Sequence, residues 1–497
     1  MMTFTRREFL RIAMGSAVAA AMPAFGRGET AAGRKPPNVL YLFSDMQRAT
    51  SMGCYGDPNV RTPVLDAFAR QGVRFDAAMS STPVCCPHRA ALMSGTYGHH
   101  NGTVSNSSTF KHPTKCLAEA FRDAGYATGY LGKWHIPGVK ETDLGFQEVL
   151  TKGQAEKTGG HCFVVDGKKV FETTYSADLA IRFIQEKSAG AKPWLLMVSW
   201  VVPHTPYAAT AEYRAHYPAS KLKLPPNVPD GAPKQFALGA LPDYYGMIEN
   251  IDADVGRILD ALQKAGAADD TVVCYSSDHG DMVGSHGTKN KRWPYEESAR
   301  VPLLLRYPRA VKAGQVVQDP INTPDVYPTL CGLAGVKPGT GLDGADFSAF
   351  LTGQAARPPR DYAFLQMMYA YVPWPGWRAL RTRQYMYART KDGPWLLFDV
   401  LKDPYERTNL VEDKSAAALV KEMDDRLAAV MKETGDSWDL KAADGDLQNW
   451  LPGGAKQQQA YLGVPWPGCG VTGSGGGGGG GGKGRKGKNA PPADDGD

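Results

Sequence analysis

Cysteine is scarce in this chain, and so are several other features that would point to particular functions. Eight cysteines in 497 residues are too few for a disulfide scaffold, and no two of them stand in the Cys-x-x-Cys spacing of a metal pair. No clustered basic stripe runs through the body of the chain. Lysines and arginines concentrate only near the two ends, and a net charge of +5 is mild for this length, which argues against nucleic acid as a partner. The apolar run 12–21 is shorter than the ~20 residues that cross a bilayer, which argues against a stable membrane anchor. Internal repeats are also missing. What the chain has is mass and apolar content: 42% hydrophobic residues suffice for a large core, and the length predicts more than one domain.

The N-terminus reads as an address. Thr5-Arg6-Arg7-Glu8-Phe9-Leu10 is a twin-arginine pattern, and the short apolar run follows it. Residues 1–34 are therefore expected to be a signal for the twin-arginine translocase, giving a periplasmic or secreted bacterial protein. At the other end, the glycine run and its lysines over 473–497 predict a disordered tail. Between these lie an expected catalytic domain over 35–360 and a smaller subdomain over 361–472. Tyr369 to Trp377 is aromatic and proline-rich and serves either to wall a pocket or to pack between subdomains.

Strands and helices alternate from Val39 onward, the rhythm of an α/β fold: a doubly wound, mostly parallel sheet flanked by helices. Buried strands are expected over Val39–Ser44, Tyr126–Leu131, Trp194–Trp200, Thr271–Ser276 and Val301–Tyr307, and helices over Tyr175–Lys187 and Tyr244–Ala265. Thr62 is expected to cap a helix opened by Pro63. After about residue 360, Tyr385–Arg389 and Trp395–Asp399 predict a short antiparallel pair, followed by a helix over Ser415–Thr434. Four parallel strands end in ionisable residues: Asp45, then Lys133 and His135, then His204, then Asp278 and His279. In open α/β sheets, ligands bind beyond the carboxyl ends of the strands. A single carboxylate there is more often a helix cap; a set from four strand ends points to a site.

The stretch Thr82-Pro83-Val84-Cys85-Cys86-Pro87-His88-Arg89-Ala90-Ala91-Leu92-Met93-Ser94-Gly95 reads as a loop entering a helix. Pro87 suits the first turn and Gly95 the residue past the last. Cys85 then sits at the helix mouth, where backbone N–H groups favour negative charge, and Arg89 lies on the same face. A buried cysteine pair would give the same pattern without chemistry.

Cys85-x-Pro87-x-Arg89 resembles the sulfatase signature, and further blocks resemble that family in the same order. They are Pro37-Asn38-Val39-Leu40 to Asp45, Gly132-Lys133-Trp134-His135, Pro203-His204-Thr205-Pro206-Tyr207, Ser277-Asp278-His279-Gly280 with Lys291, Tyr295 to Pro302, and Asp403-Pro404-Tyr405-Glu406. The resemblance covers roughly residues 37–410. It implies an exported sulfuric ester hydrolase acting on a sulfated small molecule or glycan. It also implies that a maturation enzyme oxidises Cys85 to formylglycine, whose hydrated form attacks sulfur. Asp45, Asp278, His279 and the formylglycine at Cys85 would hold a metal, Ca2+ by its oxygen-rich shell, with Mn2+ or Zn2+ suited to the imidazole of His279. Arg89, Lys133 and Lys291 would hold sulfonate oxygens or orient the diol, His135 would hydrogen-bond the nucleophile, and His204 would protonate the leaving oxygen.

Two positions depart from the family pattern: Met46 stands where a second aspartate is common, and His88 where Ser or Thr is. Two other readings stay open. A phosphonate or phosphate mono- or diesterase on the same scaffold is favoured by Asp278-His279. A catalytically dead binder of sulfated glycans is suggested by Met46 and His88.

Overall fold

The computed structural model describes residues 35–150, 156–158, 161–368 and 376–438. The expected signal segment, the glycine-rich tail and most of the aromatic stretch after Tyr369 lie outside them. The described residues from Pro36 onward belong to one compact unit.

Continuous apolar runs make the central strands, because both faces of the sheet are covered. Main-sheet strands in chain order are Asn38–Ser44 (β1), Val73–Phe75 (β2), Ala127–Gly132 (β3), Glu148–Val149 (β4), Trp194–Ser199 (β5), Thr271–Ser277 (β6), Leu303–Arg306 (β7) and Gln315–Val317 (β8). They lie side by side as β8-β2-β7-β6-β1-β5-β3-β4. The run from β6 through β1, β5 and β3 to β4 is parallel, and β7 is antiparallel to both neighbours. Along β1, side chains alternate between two cores. Val39, Tyr41 and Phe43 face one that includes helix residues Ala90, Leu92 and Met93; Leu40 and Leu42 face another with Phe183, Met247 and Ile251. Each such burial is worth about 1.5–3 kcal/mol, so a one-residue slip in register would be costly.

That register positions the site. Ser44 pairs with Ser277, Phe43 with Ser199, and Gly132 with Ser199. The residues just past these ends therefore emerge together along one edge. Gly132 has φ 102°, and a Cβ there would lie 1.8 Å from the carbonyl oxygen of Ser199; only glycine lets β3 turn so close to β5 and deliver Lys133.

Helices Pro63–Gln71 (α1), Cys85–Ser94 (α2), Glu172–Ser188 (α3), Ala232–Lys264 (α4) and Thr323–Ala334 (α5) flank the sheet. A four-stranded antiparallel sheet follows: Tyr362–Met367 (β9), Trp377–Thr382 (β10), Tyr385–Thr390 (β11) and Gly393–Asp399 (β12), then helix Ala417–Glu433 (α6). One face of this sheet packs Phe364, Leu380, Tyr387 and Leu397 on α6. The other packs Leu365, Trp377 and Ala379 against Val84, Met282 and Trp293 from earlier in the chain. No helix among the described residues is long and apolar enough to cross a membrane.

Three expectations shift. Helix α4 begins at Ala232, twelve residues ahead of Tyr244, and runs through Pro242. A proline normally marks a first turn, and here packing of the flanking turns, with Leu241 and Tyr244 wholly buried, carries the helix across it. The stretch Val301–Tyr307 is two strands, Arg300–Val301 and β7, parted at Pro302, which has no N–H to give a ladder. Thr62 makes no side-chain cap on α1; its hydroxyl donates to Asp66 Oδ1 and accepts from the Gly53 amide instead.

Candidate active site

Helix α2 is buried along its whole length and opens at Cys85 itself. Gly95, in the left-handed region at φ 66°, closes it. Arg89 is wholly buried, and its five N–H groups match five protein contacts. Nε and Nη2 donate to Asp278 Oδ2 (3.1 and 2.9 Å) and Nη2 also to Asp45 Oδ2 (3.0 Å). Nη1 donates to the Lys133 carbonyl (2.8 Å) and to Ser199 Oγ (2.7 Å). No N–H is left for a sulfonate oxygen, so Arg89 fixes the two carboxylates in place. Ser199, at the end of β5, is a member of the site that the sequence did not single out.

The carboxylates present their other oxygens to Cys85 and His279. Asp45 Oδ1 lies 3.8 Å from both Cys85 Sγ and His279 Nε2, Asp278 Oδ1 is 3.5 Å from that nitrogen, and Sγ and Nε2 are 3.2 Å apart. Ligand atoms of Asp45, Cys85, Asp278 and His279 all fall within 4.8 Å of one another. His279 Nδ1 faces the Gly280 carbonyl at 2.9 Å. A carbonyl only accepts, so Nδ1 carries a hydrogen, and Nε2 is the ring nitrogen turned to the cluster and the one a cation would take. Two carboxylates and an imidazole lone pair fit a divalent cation. Met46 adds no carboxylate to this set. It sits at φ 67° and its amide donates to Asp278 Oδ1 (3.2 Å), which steers that oxygen.

Cations gather on the opposite side of Cys85. Lys291 Nζ is 2.9 Å and Lys133 Nζ 3.8 Å from Sγ, and Lys133 also pairs with Asp45 Oδ2 at 2.9 Å. Burial pushes the Cys85 thiol up, but Lys133, Lys291, His279 and a hydrogen bond from His135 outweigh it and hold the group well below its usual range. Burial also opposes a charge on Lys133, yet Asp45 and Cys85 raise it above the ordinary lysine value. The pocket is built to stabilise negative charge at the position of Cys85.

His204 lies 3.5 Å from Lys291 Nζ through Nε2, while Nδ1 faces the Thr205 carbonyl at 2.8 Å. His161 clamps this segment. Its Nε2 lies 2.9 Å from the carbonyls of both His204 and Pro206, so that nitrogen must carry a hydrogen. His161 stands beside a small three-stranded sheet whose edges carry no catalytic pattern, and sequence reasoning had no signal for it. His88 faces away from the cluster, with Nδ1 near Ser80 Oγ (2.9 Å) and Thr323 Oγ1 (3.2 Å), and burial lowers its pKa so that it stays neutral. It acts as a strut tying α2 to Ser80 and to Thr323 at the start of α5.

The chain matches the Sulfatase family over residues 37–336 and the N-sulphoglucosamine sulphohydrolase C-terminal family over 284–433. It is 34% identical over 423 residues to an ulvan-active sulfatase of Formosa agariphila, spanning 81% of this chain and 82% of that protein. It is 27% identical over 498 residues to an N-acetylglucosamine-6-O-sulfatase of Bacteroides thetaiotaomicron, spanning 81% and 88%. A crystal structure of the phosphonate monoester hydrolase of Agrobacterium radiobacter shares the fold, with a TM-score of 0.69, 26% identity, and 80% and 96% coverage. A buried helix-mouth cysteine ringed by lysines, set against paired carboxylates on adjacent strand ends, is thus found in a chain that belongs to the sulfatase family, the sulfuric ester hydrolases.

Proposed function

We propose that this protein is an exported enzyme that hydrolyses a sulfate monoester on a carbohydrate, using formylglycine made from Cys85 and a divalent cation. The observation that carries the reading is the convergence of Lys133, Lys291 and His135 on Cys85, opposite Asp45, Asp278 and His279. The sugar is argued from the relatives, whose names include an ulvan-active and an N-acetylglucosamine-6-O-sulfatase. Export rests on Arg6-Arg7 and the apolar run behind them.

A sulfate monoester resists attack because its anionic oxygens repel nucleophiles and its leaving alkoxide is basic. The hydrate of formylglycine supplies one hydroxyl as nucleophile and a second through which sulfate can depart. A divalent cation held by Asp45, Asp278 and His279 would draw charge from the sulfonate; the carboxylates favour Ca2+, and the imidazole suits Mn2+ or Zn2+. The remaining work falls to side chains. Lys133 and Lys291 neutralise charge on the sulfonate oxygens and lower the barrier electrostatically. His135 orients the attacking group. The His204–Lys291 pair provides the proton for the leaving oxygen, His204 being held in place through its own carbonyl by His161. Arg89 holds Asp45 and Asp278 in place through its hydrogen bonds to both.

Digesting protein made in its own host and weighing the Cys85 peptide tests this reading. Formylglycine lowers its mass relative to cysteine; an intact thiol in active protein sinks the mechanism. A phosphonate or phosphate ester hydrolase is the second reading, favoured by the phosphonate monoester hydrolase likeness. Aryl sulfate, phosphate and phosphonate esters assayed side by side separate the two, and the faster ester names the activity.

A further inference from the structure

A cavity of about 420 Å3 opens where the catalytic half meets the C-terminal sheet, and it shares no residue with the Cys85 cluster. Its wall is assembled from five distant stretches: the loop at Cys54–Gly56, the end of β2 at Arg74–Ala77, the turn carrying Glu296 and Arg300, Gln318 just past β8, and the C-terminal segments around Arg381, Arg383 and Leu401. Four guanidiniums line it against two carboxylates, Asp76 and Glu296, leaving an excess of two positive charges.

Three of those guanidiniums are held rigidly, each with one edge left over. Arg74 donates through Nε to Asp76 Oδ1 (2.9 Å) and through Nη1 to the Cys54 carbonyl (2.5 Å). Arg300 pairs through Nε with Glu296 Oε2 (2.6 Å) and donates through Nη1 to the Asp76 carbonyl (2.9 Å). Arg381 donates through Nε to Glu296 Oε1 (2.7 Å) and through Nη1 to the Thr382 carbonyl. Among the described residues, no protein acceptor meets Nη2 of any of the three, and none meets the guanidinium of exposed Arg383. The carboxylates that would cancel these charges are already bound at the Nε edges.

We propose that this cavity binds an oxyanion, a sulfate, phosphate or carboxylate group, as a second anion site apart from the catalytic centre. Fixed guanidinium edges match the oxygens of such groups and lose little side-chain freedom on binding them. The volume exceeds what a bare ion needs and falls among pockets that hold small ligands, roughly 300–1,000 Å3. The occupant is therefore an oxyanion carried on a small organic body, such as an anionic sugar, or the free ion with water around it. The two carboxylates exclude cationic ligands, since both are already paired.

Calorimetric titration of the full chain tests this without recourse to turnover. Probes are inorganic sulfate, a sulfated disaccharide and the same disaccharide without sulfate. We expect one oxyanion site per chain to persist in Lys291→Ala, where the catalytic centre is impaired. Arg383→Glu should weaken that site at least about tenfold, the loss of one charge-assisted contact. Gln318→Glu, which adds a negative charge to the wall and disturbs no arginine, should act the same way, so a misfolded Arg383 variant cannot decide the matter. Saturation by inorganic sulfate identifies a free-ion site, and saturation by the sulfated disaccharide alone identifies an anionic sugar. Binding that disappears with Lys291→Ala, or that neither cavity variant alters, overturns the proposal. Neither outcome bears on whether Cys85 is the catalytic residue.

Discussion

Arginine is put to two different uses in this molecule. Arg89, under the catalytic centre, has all five N–H groups taken by protein acceptors and is wholly buried. Arg74, Arg300 and Arg381, beside the C-terminal sheet, each commit Nε and Nη1 and leave Nη2 over. The same side chain acts as scaffold where its donors are exhausted and as receptor where an edge is spare. Counting donors, more than counting charge, separates the two. In the proposed reaction the sulfonate of a substrate is left to Lys133 and Lys291, whose ammonium groups face Cys85.

The contrast can be broken at several points. Arg89→Ala should have the largest effect. It strands two buried carboxylates, a loss of about 3–5 kcal/mol, and chemical denaturation should register it together with lost turnover. Arg89→Lys should restore little, because an ammonium cannot reproduce the fork. If Arg89→Lys retains wild-type stability and rate, the scaffold role is wrong. Lys291→Ala should lower kcat by about 10²–10³ while leaving the melting temperature near wild type; a change confined to KM would reassign Lys291 to ground-state binding. His161→Ala should reduce kcat by roughly tenfold with KM little changed, through a misplaced His204. His161→Gln, which keeps a donor near the two carbonyls, should recover part of the loss. A KM effect with no rescue would make His161 merely structural. Arg383→Ala should matter least to the fold, within about 0.5 kcal/mol in urea unfolding, since it is exposed and has no protein acceptor among the described residues.

Much of the catalytic centre was legible because its residues follow strands that announce themselves. Asp45, Lys133 and Asp278 each come directly after a buried apolar run, and parallel register brings such ends together. The role of Arg89 was less visible: the sequence gives its charge, whereas its exhaustion by Asp45, Asp278, Lys133 and Ser199 depends on contacts 44 to 189 residues away. Strands of two or three residues, such as β2 and β8, carry no periodicity and exist only through their pairing. Pro242 and Pro302 misled in opposite ways. One sits inside a helix that tertiary packing sustains, and the other cuts an apolar run that looks unbroken. His161 and the arginine cavity could not be anticipated, since each is defined by segments that meet only after folding.

The complete burial of α2 also imposes a chronology. Cys85 has no exposed surface in the folded chain, so a second protein cannot reach it there. Under the formylglycine mechanism proposed above, the enzyme that oxidises it would act on unfolded polypeptide, before the site has closed. Lys291, which closes over Cys85, is synthesised 206 residues later. At translation speeds of about 5–20 residues per second, that leaves a window of roughly 10–40 s in which the cysteine is made but cannot yet be enclosed by its partners. Under that mechanism, competition between oxidation and folding, rather than affinity for the finished protein, would decide what fraction of molecules becomes active.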